Sequence, residues 1–170
     1  VYNVGDTKEI DLGSYGKHTL RITNKSTPSE CSNTNFSQSA CGFVLEFADV
    51  ITIHKMNDTA INVGGWPATS MRTFVNNDIY NAIPDEIKKV IIDTTTMSGH
   101  GSTTKETNFI STDKLYFLSG KEIYSDFNSE YDTAKTLTRQ LDYYANNGIT
   151  TSNSTGTIKN RMTTIRWWAE

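Results

Sequence analysis

The longest apolar-leaning stretch of this chain, residues 43–53, is interrupted by Glu46, Asp49 and Thr52, and the run Val90-Ile91-Ile92 is very short. A spanning helix needs about 20 consecutive apolar residues. The chain is therefore expected to be soluble, with no membrane insertion. Residues 43–53 are dense in β-branched and aromatic side chains, which suits a central buried strand or pair of strands.

The elements around that stretch do not alternate regularly. Thr7-Lys8-Glu9-Ile10-Asp11-Leu12 alternates polar and apolar, Gly13-Ser14-Tyr15-Gly16 supplies a turn, and His18-Thr19-Leu20-Arg21-Ile22 alternates again, so an opening hairpin is expected. Trp66-Pro67-Ala68-Thr69-Ser70 leads into a helix capped by Thr69 or Ser70, with Met71, Phe74, Val75, Ile79 and Ala82 or Ile83 on its buried face. Pro84-Asp85-Glu86 restarts a short helix, with both acids near the favourable end of its dipole. Val90-Ile91-Ile92 reads as a strand, residues 94–112 as a long polar loop, and Lys114-Leu115-Tyr116-Phe117-Leu118 as a core strand. A second main helix is expected over residues 132–147, with Ala134, Leu137, Leu141 and Tyr144 or Ala145 as its stripe and Gly148 as its left-handed terminus. Residues 156–158 and 164–168 read as closing strands. Irregular alternation of this kind argues against a doubly wound parallel sheet. The expected class is α+β, with a mixed, mostly antiparallel sheet and two main helices.

Length fits one domain, residues 1–170. The chain opens on Val1 and stops at Trp167-Trp168-Ala169-Glu170, which reads as mid-strand, so it is expected to be a piece of a larger protein. A net charge of −3 and a pI near 5.6 lack the concentrated positive field that a nucleic-acid partner requires. Ser, Thr and Asn fill about a third of the positions, a bias that suits a secreted β-rich module. Cys31 and Cys41 stand ten positions apart around a polar loop, and a disulfide closing it would stabilise by up to ~3 kcal/mol. Two separate buried thiols are the alternative; no CxxC spacing competes.

Tests for chemistry return little. Ser98-Gly99-His100-Gly101-Ser102 and Ala68-Thr69-Ser70-Met71 resemble the histidine and nucleophile segments of subtilisin-like proteases. The order of serine and histidine is reversed, however, Arg72 stands where that family has a small residue, and the chain is too short for the fold. His18, His54 and His100 are scattered, without the spacing that places two ligands on one helical face, so no metal and no cofactor is expected. Asp126-Phe127-Asn128-Ser129-Glu130 lacks the alternation and turn glycine of a calcium loop and reads as solvated. Glu122 and Asp126 read as surface charge, and Gly64-Gly65 precedes Trp66-Pro67 rather than a phosphate-binding helix start. The aromatic residues are the better candidates. Trp66 sits at a loop-to-helix junction, and Trp167 and Trp168 point to opposite faces if they lie in a strand. An exposed member would offer a stacking surface to a sugar or a protein anchor, whereas the plainer reading makes all three packing residues. The candidate binding set is Trp66, Arg72, Arg166, Trp167 and Trp168.

Several stretches are similar to a family: Val4-Gly5-Asp6-Thr7-Lys8-Glu9-Ile10-Asp11-Leu12, Cys41-Gly42-Phe43-Val44-Leu45-Glu46-Phe47-Ala48-Asp49, Gly64-Gly65-Trp66-Pro67-Ala68-Thr69-Ser70, Asp113-Lys114-Leu115-Tyr116-Phe117-Leu118-Ser119 and Leu137-Thr138-Arg139-Gln140-Leu141-Asp142-Tyr143-Tyr144 among them. Together they resemble an uncharacterised domain family of surface proteins from Gram-positive, largely gut-associated bacteria. Its members are distantly similar to the C-type-lectin and formylglycine-generating-enzyme fold. The chain departs from the family pattern at Trp167-Trp168-Ala169-Glu170, where a Trp-Trp-Leu-Arg-Ser segment and closing hairpins are usual. The resemblance implies an extracellular module at the bacterial cell surface that is not an enzyme and that binds a host or bacterial glycan or protein. The alternative is a structural spacer or assembly domain that pairs through its C-terminal sheet edge. An enzyme of the formylglycine-generating type ranks last, because its paired reactive cysteines are missing.

Overall fold

In the computed structural model, which describes residues 1–153, the chain forms two small antiparallel sheets, a few short helices and long connecting segments, an α+β fold. The expected closing strands, with Arg166, Trp167 and Trp168, lie outside the described residues.

The opening hairpin forms as expected. Strand β1 (Thr7–Asp11) pairs with β2 (Lys17–Asn24), with Ile10 opposite His18. Gly13 and Gly16 take positive φ in the turn, and the Asp11 carboxylate accepts the Gly13 N–H at 2.8 Å. Strand β3 (Val44–Phe47) adds to the other side of β2. An irregularity between Ile22 and Asn24 leaves Thr23 without a partner residue, and its hydroxyl donates to the Val44 carbonyl at 3.1 Å. β3 is much shorter than residues 43–53 because Asp49 caps it: Oδ1 accepts the Thr19 N–H at 2.9 Å in place of a strand carbonyl, and Oδ2 holds His18 Nδ1 at 2.8 Å. The second sheet corrects the expectation for residues 90–118. Val90 and Ile92 are exposed and outside any strand, and the half-buried segment Lys114 to Leu118 lies outside any strand too. The pairing partners are instead β4 (Thr94–Ser98) and β5 (Phe109–Asp113), within the expected loop, where a run of β-branched threonines supplies the strand.

The first expected helix is present but not uniform. Thr69 caps α1 (Ser70–Phe74), its hydroxyl accepting the Arg72 N–H at 3.0 Å. A π-helical turn (Val75–Ile79) follows, then α2 (Tyr80–Ala82), which ends where Ile83 turns extended before Pro84. A short α3 (Asp85–Lys88) comes next. The second expected helix is mostly absent. Only a 3-10 turn (Lys135–Leu137) and α5 (Asp142–Asn146) form, with Gly148 at φ 63° just past the end. Residues 138–141 are drawn out of a helix because tertiary partners take them: the Thr138 hydroxyl donates to Glu122 at 2.9 Å, the Leu141 N–H to the Glu122 carbonyl at 2.9 Å, and the Gln140 amide to the Ile123 and Ile149 carbonyls.

The core has two centres. One gathers Ile10, Leu12, Leu20 and Ile83 between the first sheet and α2. The other gathers Phe36, Ala40, Ile123, Tyr124, Leu141 and Tyr144, with the Cys31–Cys41 disulfide packed against it. Arg21, Glu46 and Tyr144 join the first sheet to α5: Arg21 is ion-paired to buried Glu46 and lies 4.0 Å from the Tyr143 ring centroid, and the Tyr144 hydroxyl donates to Glu46 Oε2 at 2.9 Å.

Glu122, in α4 (Gly120–Ile123), closes a capping box with Ser119, whose N–H donates to Oε2 at 2.7 Å. Oε1 accepts from Thr138 and from Ser39, and Ser39 in turn shares a 2.6 Å hydrogen bond with Ser37. Burial pushes the Glu122 carboxyl up from its ordinary value of 4.5, against the hydrogen bonds from Ser39, Ser119 and Thr138 that act the other way. A carboxyl raised on folding contributes stability that is fully present below about 4.5 and lost as pH rises through the folded value. Urea unfolding across pH 4 to 8 is expected to show wild-type stability falling with pH relative to Glu122→Gln, whose side chain does not titrate. Parallel profiles would show that ionisation of Glu122 carries no cost.

Candidate functional site

The segment that positions the candidate site starts at two glycines. Gly64 and Gly65 take positive φ, and a Cβ at either would stand 2.6 Å from Ala68 Cβ or 2.4 Å from the Phe109 ring. This tight approach turns the chain so that Trp66 enters the protein beside β5. Trp66 is 7% exposed, packs edge-on to Phe117 with ring centroids 5.5 Å apart, and donates its indole N–H to Asp113 Oδ2 at 3.0 Å. Its ring is thus an anchor and offers no open face for stacking. This corrects the binding role expected of it and matches the plainer reading of a junction tryptophan.

Asp113 is the hub. Its buried carboxylate accepts from Trp66, from the Ser111 hydroxyl at 2.7 Å and from Arg72 Nε at 2.6 Å. Four oxygen lone pairs meet three donors, so the charge is paired and hydrogen-bonded as burial demands. Arg72 also donates to the Pro67 and Thr112 carbonyls, each at 3.3 Å. Three of its five N–H groups are thereby used, and its side chain remains about one-third exposed. Asn76, in the π-helical turn, behaves like a strand neighbour to residues 114 and 115: Oδ1 accepts both N–H groups at 2.9 Å, and Nδ2 donates to the Leu115 carbonyl at 2.8 Å. The extra residue of the turn thus puts an amide where backbone pairing is otherwise missing.

Between α1, α2 and the end of β5 these residues form an open, polar cleft of about 290 Å³ lined by Arg72, Asn76, Asn77, Tyr80, Asp93 and Lys114 among others. Lys114 and Asp93 pair at its rim at 3.0 Å. Arg72 supplies fixed positive charge with two donors to spare, and the amide of Asn77 and the phenol of Tyr80 add neutral polar groups. The arrangement can bind a polar ligand by hydrogen bonds. Asp113, the buried carboxylate at its floor, is committed to the scaffold.

The other sequence candidates are dispersed. The Ser70 N–H is held by Asn57 Oδ1 at 3.1 Å and the His100 N–H by Thr133 Oγ1 at 3.0 Å, and no hydrogen bond joins Ser70 to His100 among the described residues. His18 holds Asp49 and the Tyr15 carbonyl, and His54 stacks on Phe74 with ring centroids 4.1 Å apart. Glu122 lies in the core, so it is not the surface charge expected, while Asp126 is exposed and takes the Thr151 N–H and hydroxyl at 2.8 Å. Among the described residues no cluster of three His, Cys, Asp or Glu side chains forms a metal site, and no helix is long and apolar enough to cross a membrane. Sequence reasoning missed Asp113 and Asn76 altogether. The Ser119-x-x-Glu122 spacing was a readable signal for the capping box, whereas nothing in the order of residues marks Asp113 as the partner of a tryptophan 47 positions away.

The chain belongs to the family described as Domain of unknown function (DUF6273), whose model matches residues 43–169. The matched span starts just before β3, so the opening hairpin and the Cys31–Cys41 disulfide lie outside it. No curated protein matches the chain, and no solved structure does.

Asp113→Asn keeps the shape of the hub but removes the charge that faces Arg72. Breaking a buried pair in this way costs about 3–5 kcal/mol, and urea unfolding of the variant is expected to show a loss of that order. A loss below ~1 kcal/mol would mean that the carboxylate does not hold α1 to β5.

Proposed function

We propose that this member of the family is a non-catalytic, extracellular binding module, an adhesion domain of a bacterial surface protein, and that it takes a host or bacterial surface glycan or protein in the cleft over Arg72. The observation that carries the reading is the division of labour at that cleft. Asp113 is consumed in fixing Trp66, Ser111 and Arg72, while the outer donors of Arg72 face a polar hollow with Asn77 and Tyr80. A rigidly held guanidinium with spare donors recognises oxygen-rich ligands at low ordering cost. The disulfide fits an oxidising, extracytoplasmic setting. The resemblance to Gram-positive surface proteins, and through them distantly to the C-type-lectin fold, supports the same reading.

A glycan-array screen of the disulfide-intact domain, run with calcium and again with chelator, tests it. Specific binding is expected, with Arg72→Lys and Asn77→Ala weakening it at least tenfold while the fold is retained by circular dichroism. Hydrolysis of a glycan or peptide that one point mutation abolishes would overturn the non-catalytic reading.

A further inference from the structure

A second cleft, of about 480 Å³, lies away from Arg72, where the loop after α4 meets residues 135–138. Two lysines flank it. Lys121 Nζ donates to the Ser125 carbonyl at 2.6 Å and Lys135 Nζ to the Ser129 carbonyl at 2.8 Å, so both ammonium groups are held against the same loop. Each has three N–H donors and uses one in these bonds. Neither is within ion-pair distance of a carboxylate among the described residues. The acid in the lining, Asp126, has both oxygens engaged by Thr151, at 2.8 Å each, and lies near enough to Lys121 to feel its charge, as Asp132 feels that of Lys135. Thr138 at the inner wall is fixed by its hydrogen bond to Glu122.

Phe127 is also in the lining, half-buried and packed against the core around Ile123 and Leu141. It is seated against Gly120, where a Cβ would stand 2.5 Å from the ring, so the glycine is what lets the ring lie there. Ser125, Asn128 and Thr136 add neutral hydroxyl and amide groups around it.

We infer that this cleft binds an acidic saccharide unit, a sugar ring bearing a carboxylate. Two ammonium groups that form no ion pair with a carboxylate among the described residues suit an anion. A half-buried aromatic ring supplies a stacking surface for a sugar ring, and the neutral groups match sugar hydroxyls. No arginine fork, the group best shaped for phosphate, is among the lining residues. The site is separate from the Arg72 cleft and does not depend on ligand binding there.

The test is a titration of the isotope-labelled, disulfide-intact domain with oligogalacturonate, and with a neutral galacto-oligosaccharide of equal length, followed by amide chemical shifts. The acidic probe is expected to shift amides within residues 120–138, to bind at least tenfold more tightly than the neutral one, and to weaken as salt is raised. Lys121→Gln with Lys135→Gln is expected to lose at least tenfold in affinity. Gly120→Ala, which displaces the ring and leaves the charges alone, is expected to weaken the acidic probe as well. Both are compared after folding is confirmed by their amide spectra. Absence of shifts at millimolar oligogalacturonate, or shifts unchanged in the double lysine variant, would overturn the proposal. Inorganic phosphate competing as tightly as the sugar acid would reduce it to a simple anion site and overturn the saccharide. Shifts confined to residues 72–80 and 112–114 would place binding at the Arg72 cleft and sink this inference alone.

Discussion

With so few of the described residues in helices and strands, their buried backbone groups need partners that regular structure does not supply, and side chains provide them. Glu122 shows how. From one turn of helix it holds the cap of α4, the loop closed by the disulfide and the extended segment at Thr138, while its own carbonyl receives Leu141. Asn24 does the same at the end of β2, donating to the Ser26 and Gly42 carbonyls and accepting from Arg139 and the Asp142 N–H. Asp142 takes the N–H groups of Lys25 and Ser26, each at 2.9 Å. Burial disfavours the Asp142 charge, yet hydrogen bonds from Lys25, Ser26 and Arg139 win and hold its carboxyl below the ordinary range. Polar side chains in this domain are thus structural members, which is why so hydroxyl- and amide-rich a sequence still folds.

The same economy explains the clefts. Asp113 and Asn76 satisfy each other's neighbourhoods so fully that what remains open at the surface is the outer side of Arg72 and its uncharged neighbours. Fixed donors above a rigid floor suit recognition, where little is lost in ordering the protein.

The parts of the fold governed by local chemistry were legible in the sequence. The hairpin at residues 7–24 announced itself through alternation and two glycines, the start of α1 through Thr69, and the end of α5 through Gly148. Of the two readings of the cysteines, a disulfide or two separate thiols, the structure holds the Cys31–Cys41 disulfide. The misreadings share a cause, which is that a distant partner overrode local propensity. Residues 132–147 carry a helical stripe, yet Glu122, Ile123 and Asn24 recruit residues 138–141 one by one. Val90-Ile91-Ile92 has strand composition but pairs with no strand among the described residues, while the threonines of β4 find β5. At the site, Arg72 lines an open cleft, and Trp66 is the bolt behind it. The two lysines around Phe127 left no trace in spacing, since only the fold brings 121 and 135 to one loop.

The ties between the first sheet and α5 have a kinetic side. Tyr144 reaches Glu46 across 98 positions, and Arg139 and the Asp142 N–H reach Asn24 across 115 and 118. Loop-closure entropy must be met before contacts of such separation can reward it, so a topology built on them folds slowly for its size. The hairpin can zip early on its own. The Asn24 oxygen then waits unmatched until Arg139 and Asp142 arrive, so the docking of α5 is the step that completes the polar ties of the first sheet.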